Sequence, residues 1–169
     1  MNEDVDFGAQ FVGSLAMLSR NAGKLLSQRG ETVAVAESSC GGLISASLVA
    51  VPGASAFYIG GGVVYTAQGG RQLVPGRPKG MRSASEEFAL FEARTIRERM
   101  GADWGIGETG ASGPSGNPYG DPAGHACIAI SGPIVRVITL ATGEADRGRN
   151  MWLFVHAALS LFEEVLANR

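Results

Sequence analysis

The chain has 169 residues, a length that suits one domain with a real core. Hydrophobic residues make up 45% and charged residues only 18%, a low share of charge that points to surface covered by other subunits in a homo-oligomer. The formal net charge of −2 and the lack of any basic run argue against a nucleic-acid binder, and no apolar stretch is long enough for a membrane span.

The first six residues are acidic and unlike a signal peptide. Cys40 and Cys127 are far apart and match no metal or redox spacing, so a reducing cytoplasm is expected. Over residues 6–29, Phe7, Phe11, Leu15, Leu18, Ala22, Leu25 and Leu26 draw one stripe along a helix, and Gly30 stops it. Residues 32–36 then form an apolar run of strand length. Glu37-Ser38-Ser39-Cys40-Gly41-Gly42 follows, and Leu43, Ile44, Ala46, Ser47 and Val49 read as the apolar side of a short helix. A strand that feeds a helix through such a turn aims backbone N–H groups and the positive helix end at one point. Ser38, Ser39 and Cys40 stand beside that point, which makes this an active-site or ligand turn. The same serines could equally be plain N-caps, and the glycines mere relief of crowding.

Residues 57–66 read as a strand broken by Gly60-Gly61-Gly62, which suits a bulge, a close backbone approach or a plain bend. Residues 67–80 read as a loop, with room for one helical turn before Pro75. Ser83 and Glu86 have capping-box spacing, with Ser85 as rival cap, and start a helix that runs to about Met100. Ala89, Ala93, Ile96 and Met100 share one of its faces, and Gly101 ends it. A strand over 103–108, a long loop over 109–124 and a strand over 125–131 follow. Ser131-Gly132-Pro133 turns into an alternating strand over 134–141, and Asp146 caps a last helix with Trp152, Val155, Leu159, Phe162 and Leu166 inside. The order predicts an α/β fold, a single-domain three-layer α/β/α sandwich with one mixed sheet.

The stretch over 107–124 is rich in glycine and proline. Its glycines would let the backbone approach a ligand, and the hydroxyls of Thr109, Ser112 and Ser115 could meet phosphate or ribose oxygens. It is neither a P-loop nor a dinucleotide fingerprint, so composition leaves its role open.

Taken in order, these residues resemble the C-terminal domain of the CinA (competence/damage-inducible) family. Ala36-Glu37-Ser38-Ser39-Cys40-Gly41-Gly42 is similar to the family's Ala-Glu-Ser-Cys-Thr-Gly-Gly turn, and Val51-Pro52-Gly53-Ala54-Ser55 to its Val-Pro-Gly-Ser-Ser. Gly61-Gly62-Val63-Val64-Tyr65-Thr66 resembles the family strand Gly-Gly-Val-Val-Thr-Tyr, and Ala84-Ser85-Glu86-Glu87 a helix start. Thr109-Gly110-Ala111-Ser112-Gly113-Pro114 is similar to a Thr-Gly-Ile-Ala-Gly-Pro loop, and Ala145-Asp146-Arg147 to a Gly-Asp-Arg.

The resemblance implies hydrolysis of the carboxamide of nicotinamide mononucleotide, a pyridine mononucleotide, to the acid and ammonia, with no metal or organic cofactor. It makes Ser38 the nucleophile, with turn N–H groups at the oxyanion and Arg71 and Tyr65 beside it. Glu37, Ser39, Cys40, Gly41, Gly42, Thr66, Thr109, Gly110, Ala111, Ser112, Gly113 and Arg147 would then hold the nucleotide. The chain departs from the pattern at the chemistry. The family lysine that activates the serine aligns with Arg71, whose guanidinium cannot serve as a base. The Thr-Tyr pair is transposed to Tyr65-Thr66, and Met151 replaces a later arginine.

Other activators of Ser38 stay open. His125, at the loop exit, could reach the turn, whereas His156 reads as structural. Glu37 and Glu108 could orient a water or a ligand hydroxyl, or form salt bridges. Cys40 is either a second nucleophile or a packed residue. Two rival functions follow: a non-catalytic relative that binds a nucleotide or a protein partner, and a Ser38- or Cys40-dependent hydrolase of another amide or ester.

Overall fold

The structure is a computed structural model that describes residues 3–169. The acidic start read above falls on Met1 and Asn2, outside the described residues, and on side chains that precede Phe7.

β1 (Val33–Glu37) lies between two parallel neighbours, β2 (Tyr58–Val63) and β3 (Trp104–Ala111). β4 (His125–Ser131) and β5 (Arg136–Ala141) continue the sheet antiparallel, in the order β2-β1-β3-β4-β5. α1 (Glu3–Arg29), α2 (Leu43–Val49) and α5 (Arg147–Ala167) cover one face, and α3 (Ala67–Leu73) and α4 (Glu86–Met100) the other. The expected three-layer sandwich with a mixed sheet is what forms.

Strand alternation gives the two faces different sizes of side chain. Val33, Val35, Trp104, Ile106, Ile128 and Ile130 meet Leu26, Phe154, Leu159 and Phe162 of α1 and α5. The other face presents Ala34, Ala36, Gly105, Gly107, Cys127 and Ala129, so α4 settles close to it with Ala89 and Ala93. A Cβ on Gly105 would overlap the Ala93 carbonyl, and one on Gly107 the Ala89 carbonyl. These two glycines set the spacing between helix and sheet.

The helical stripes of α1 and α5 hold, with Leu15, Leu18, Ala22, Leu26, Val155, Leu159, Phe162 and Leu166 buried. Asp146 caps α5 by accepting from the Arg149 N–H at 2.7 Å. His156 packs edge-on to Phe11, as a structural residue. A bulge forms at the start of the glycine triplet: the register runs from Val33–Tyr58 to Ala34–Gly60, leaving Ile59 unpaired, and Gly60 sits at φ +148°.

Several boundaries differ from expectation. β2 stops at Val63, and residues 67–80 contain a two-turn helix rather than a loop. Its start is fixed by Thr66, whose Oγ1 accepts from Gly69 N–H at 3.1 Å and offsets the poor propensity of Gly69 and Gly70. Ser85, not Ser83, caps α4, accepting from Phe88 N–H at 3.2 Å. β3 runs on to Ala111, because Thr109, Gly110 and Ala111 find partners in Cys127, Ala126 and His125.

Candidate functional site

β1 ends in Glu37, and the turn that follows is built around two buried carboxylates. Glu37 Oε2 accepts from the N–H groups of Gly42 and Ile44, both at 3.0 Å. Its Oε1 accepts from Ser45 N–H at 2.9 Å and from Ser45 Oγ at 2.6 Å. It thereby takes the first-turn amides of α2, whose cap residue Gly42 has no side chain to do so. Glu108, from β3, takes the other half of the turn. Its Oε2 accepts from Ser38 N–H at 3.0 Å and Cys40 N–H at 2.9 Å, and its Oε1 from Ser39 Oγ. Burial pushes Glu108 above the usual carboxylate range, and the three hydrogen bonds oppose that shift.

Most of the N–H groups expected to face a ligand are therefore already occupied. Gly41 N–H bonds the Ser38 carbonyl and Leu43 N–H the Cys40 carbonyl. Among the described residues, Ser39 carries the one backbone N–H from 38 to 45 with no hydrogen-bond partner. The glutamates act as internal clasps, not as ion-pair members or ligand groups. Cys40 is no rival nucleophile. It is fully buried among the α1, α2 and α5 side chains, and burial, then the charges of Glu108 and Glu37, push its thiol well up.

The turn lies against a cavity of about 700 Å³. Of the residues singled out from sequence, Ser38, Tyr65, Thr66, Arg71, Thr109 and Gly110 line it. Glu37, Ser39, Cys40, Gly41, Gly42, Ala111, Ser112, Gly113 and Arg147 do not. Gly41 instead faces Met151 across a distance too short for a Cβ, and Gly113 faces the Ala145 carbonyl. At these points Gly41 of the turn and Gly113 of the long loop serve protein packing. Thr109 is buried and its Oγ1 accepts from Ala84 N–H at 3.2 Å, so the loop's first hydroxyl is already used within the protein. Arg147 stands outside the lining, donating from Nη1 to the Tyr65 hydroxyl at 3.1 Å and to Ser112 Oγ at 3.4 Å.

The His125 ring makes no hydrogen bond to Ser38. Its Nε2 is 2.9 Å from the Ala84 carbonyl and 3.8 Å from the Asp121 carboxylate. Among the described residues, no side chain hydrogen-bonds Ser38 Oγ or the Arg71 guanidinium.

The sequence reading missed much of the cavity lining. Arg77, Ser83, Phe88, Asn117 and Tyr119 belong to it. Arg77 lies over the Phe88 ring, 4.4 Å from its centroid. It also donates from Nε to the Met81 carbonyl and from Nη1 to Ser83 Oγ, each at 3.0 Å. The lining contains two arginines and no carboxylate, so its charge favours an anionic ligand. No group of His, Cys, Asp and Glu suited to a metal occurs among the described residues, and none of their helices is long and apolar enough to cross a membrane.

Comparison with known proteins gives one answer. Residues 15–166 match the CinA C-terminal domain family. A CinA-like protein from Gloeobacter violaceus is 35% identical over 158 residues, which cover 89% of this chain and 37% of that protein. A putative competence-damage inducible protein from Halothermothrix orenii is 35% identical over 140 residues, covering 80% of this chain and 34% of its own. A CinA superfamily protein from Klebsiella pneumoniae superposes with a TM-score of 0.85 at 26% identity, covering 92% of this chain and 99% of that one. The chain spans about a third of the length of the curated relatives it matches.

Proposed function

Because this chain belongs to the CinA C-terminal domain family, we propose that it binds a nicotinamide nucleotide beside the β1–α2 turn and hydrolyses its carboxamide with Ser38 as nucleophile. One observation carries the reading: Ser38 lines a cavity that holds two arginines, several hydroxyls and no acid. Such a lining suits a phosphate-bearing, hydroxyl-rich ligand with an uncharged amide.

In this reaction Ser38 Oγ adds to the carboxamide carbon, and the carbonyl oxygen takes up the negative charge. Ser39 N–H, on the residue after the nucleophile, is among the described residues the one amide of the turn without an internal partner. It serves as donor to that oxyanion from behind the lining, which Ser39 itself does not form. The C–N bond then breaks, and the serine proton leaves with the nitrogen as ammonia after relay through water. Water hydrolyses the resulting ester, releasing the acid and restoring Ser38. Arg71 stays protonated throughout and serves as a counter-charge to the phosphate.

Incubation with nicotinamide mononucleotide and measurement of ammonia tests this. Turnover is expected in the wild type and lost in Ser38→Ala, and turnover that survives Ser38→Ala refutes the mechanism. A second reading, binding without hydrolysis, is favoured by the lack, among the described residues, of any base hydrogen-bonded to Ser38 Oγ. It predicts a thermal shift with the nucleotide and no ammonia.

A further inference from the structure

The cavity has two sides, and only one of them is used by the mechanism above. Ser38, Thr66 and Arg71 belong to the turn and α3, whereas Arg77, Ser83 and Tyr119 come from the segment before α4 and from the long loop. A single mononucleotide needs one counter-charge and one ring surface. This lining duplicates both.

The second arginine is prepared for an anion. Arg77 is held from below by the Phe88 ring and from its edge by the Met81 carbonyl and Ser83 Oγ. No carboxylate among the described residues lies within 4 Å of it or of Arg71, while Arg82 pairs with Asp121 at 2.6 Å. The acid that senses Arg77 is Glu92, fully buried on α4, with both oxygens lacking hydrogen-bond partners. Burial drives Glu92 towards its neutral form, so it leaves the Arg77 charge standing.

The ring surfaces are doubled as well. Tyr65 is 60% exposed and Tyr119 47% exposed, although both line the cavity. The Arg82 guanidinium lies over one face of Tyr119, 5.3 Å from its centroid, which leaves the opposite face as the stacking surface for a base. Tyr119 also stands against Ser83 and Arg77, whose hydrogen bonding pulls its phenol below the usual range. Ring, hydroxyl and guanidinium thus sit together, on segments other than those that carry Ser38 and Arg71.

We propose that the cavity takes a dinucleotide, two nucleosides joined by a diphosphate, with the reacting nucleotide on the Ser38, Tyr65 and Arg71 side and the second on the Arg77, Ser83 and Tyr119 side. The assignment rests on the nicotinamide-nucleotide reading of the Ser38 side. It adds the substrate class: the carboxamide belongs to one end of a longer, doubly phosphorylated molecule. The cavity volume of about 700 Å³ is compatible, falling well inside the range of roughly 300–1,000 Å³ for ligand sites.

Calorimetric titration of the full chain with nicotinamide mononucleotide and with nicotinamide adenine dinucleotide tests it, with ammonia release followed in parallel. The wild type is expected to bind the dinucleotide at least tenfold tighter. Arg77→Ala and Tyr119→Ala should each bring the ratio of the two affinities towards one. Equal affinities in the wild type, or a preference that survives both substitutions, overturns the proposal and leaves the mononucleotide reading in place. Dinucleotide preference without ammonia from either compound upholds the second subsite and removes the amidase reaction. Binding of neither compound removes both. The wild-type ratio alone decides should either variant fail to fold.

Discussion

Glu37 and Glu108 are register partners on adjacent parallel strands, and each clasps a different half of the turn that follows β1. Glu37 holds the helical half through Gly42, Ile44 and Ser45, and Glu108 the loop half through Ser38, Ser39 and Cys40. Two carboxylates at one level of a sheet repel each other, so the arrangement persists only because each is surrounded by donors. A glutamine at 108 keeps the shape but turns one acceptor into a donor facing other donors. Glu108→Gln should therefore cost about 1–3 kcal/mol, the usual penalty of an unmade buried hydrogen bond. Urea titration measures the loss. Nucleotide binding should weaken with it, because the Ser38 amide is no longer fixed. A variant as stable as the wild type would show that Glu108 does not hold the turn.

Glu92 presents the opposite case, a buried carboxylate with no hydrogen bonds to compensate its charge. Its folded-state pKa is raised well above normal, mainly by burial and next by Glu108. The folded protein therefore holds a proton that the unfolded chain releases, and stability must fall as pH rises from the ordinary carboxylate range towards the raised value. Glu92→Leu removes that titration. It should flatten the pH dependence of stability above about pH 4.5 and stabilise the protein at neutral pH by about 1–3 kcal/mol. Melting followed by circular dichroism from pH 5 to 8 checks both. A Tm lower than that of the wild type at pH 7 would count against the premise.

The layers of the fold were readable because they depend on local periodicity. The stripe from Leu15 to Leu26 and the alternation of Val33, Val35 and Ala34, Ala36 each specify a buried face without knowledge of the partner. The use of the turn was not readable. Its N–H groups face Glu108, 70 residues away from Ser38 in sequence, and nothing in either segment announces the pairing. The wall built from Arg77, Ser83 and Tyr119 was hidden for a related reason. Its residues lie in stretches with no period, brought together by the docking of 74–85 against α4. One signal was available, the excess of arginines over acids between residues 71 and 82. Two misjudged elements had local causes: Gly69 and Gly70 masked α3, and the glycine content of β3 masked its last three residues.

Gly107 offers a test of how α4 is placed. A methyl group there would overlap the Ala89 carbonyl, a backbone atom that cannot rotate aside. Gly107→Ala should push α4 away from the sheet and cost about 1–3 kcal/mol or more. For a chain of this length that is a fall of roughly 2–4 °C in Tm per kcal/mol. Because Phe88 rides on α4 and supports Arg77, ligand affinity should fall as well. A neutral substitution would mean that helix and sheet have slack between them.

Arg71 lines the same cavity as Ser38 and makes no hydrogen bond to any described side chain, so its replacement disturbs little else. A guanidinium keeps its proton at any working pH, whereas a lysine at a desolvated site can give it up and act as a base. Arg71→Lys should therefore raise the rate of ammonia release from nicotinamide mononucleotide by about tenfold or more, the lower range expected of a positioned general base being roughly a hundredfold. The rise should grow with pH as the amine deprotonates, giving a profile that the wild type lacks. Thr66→Ala supplies the control, since loss of the α3 cap costs about 1 kcal/mol and loosens the helix that carries position 71. In the Arg71→Lys background it should erase most of the gain. An unchanged rate and a flat pH profile in Arg71→Lys would show that position 71 stands too far from Ser38 to take its proton.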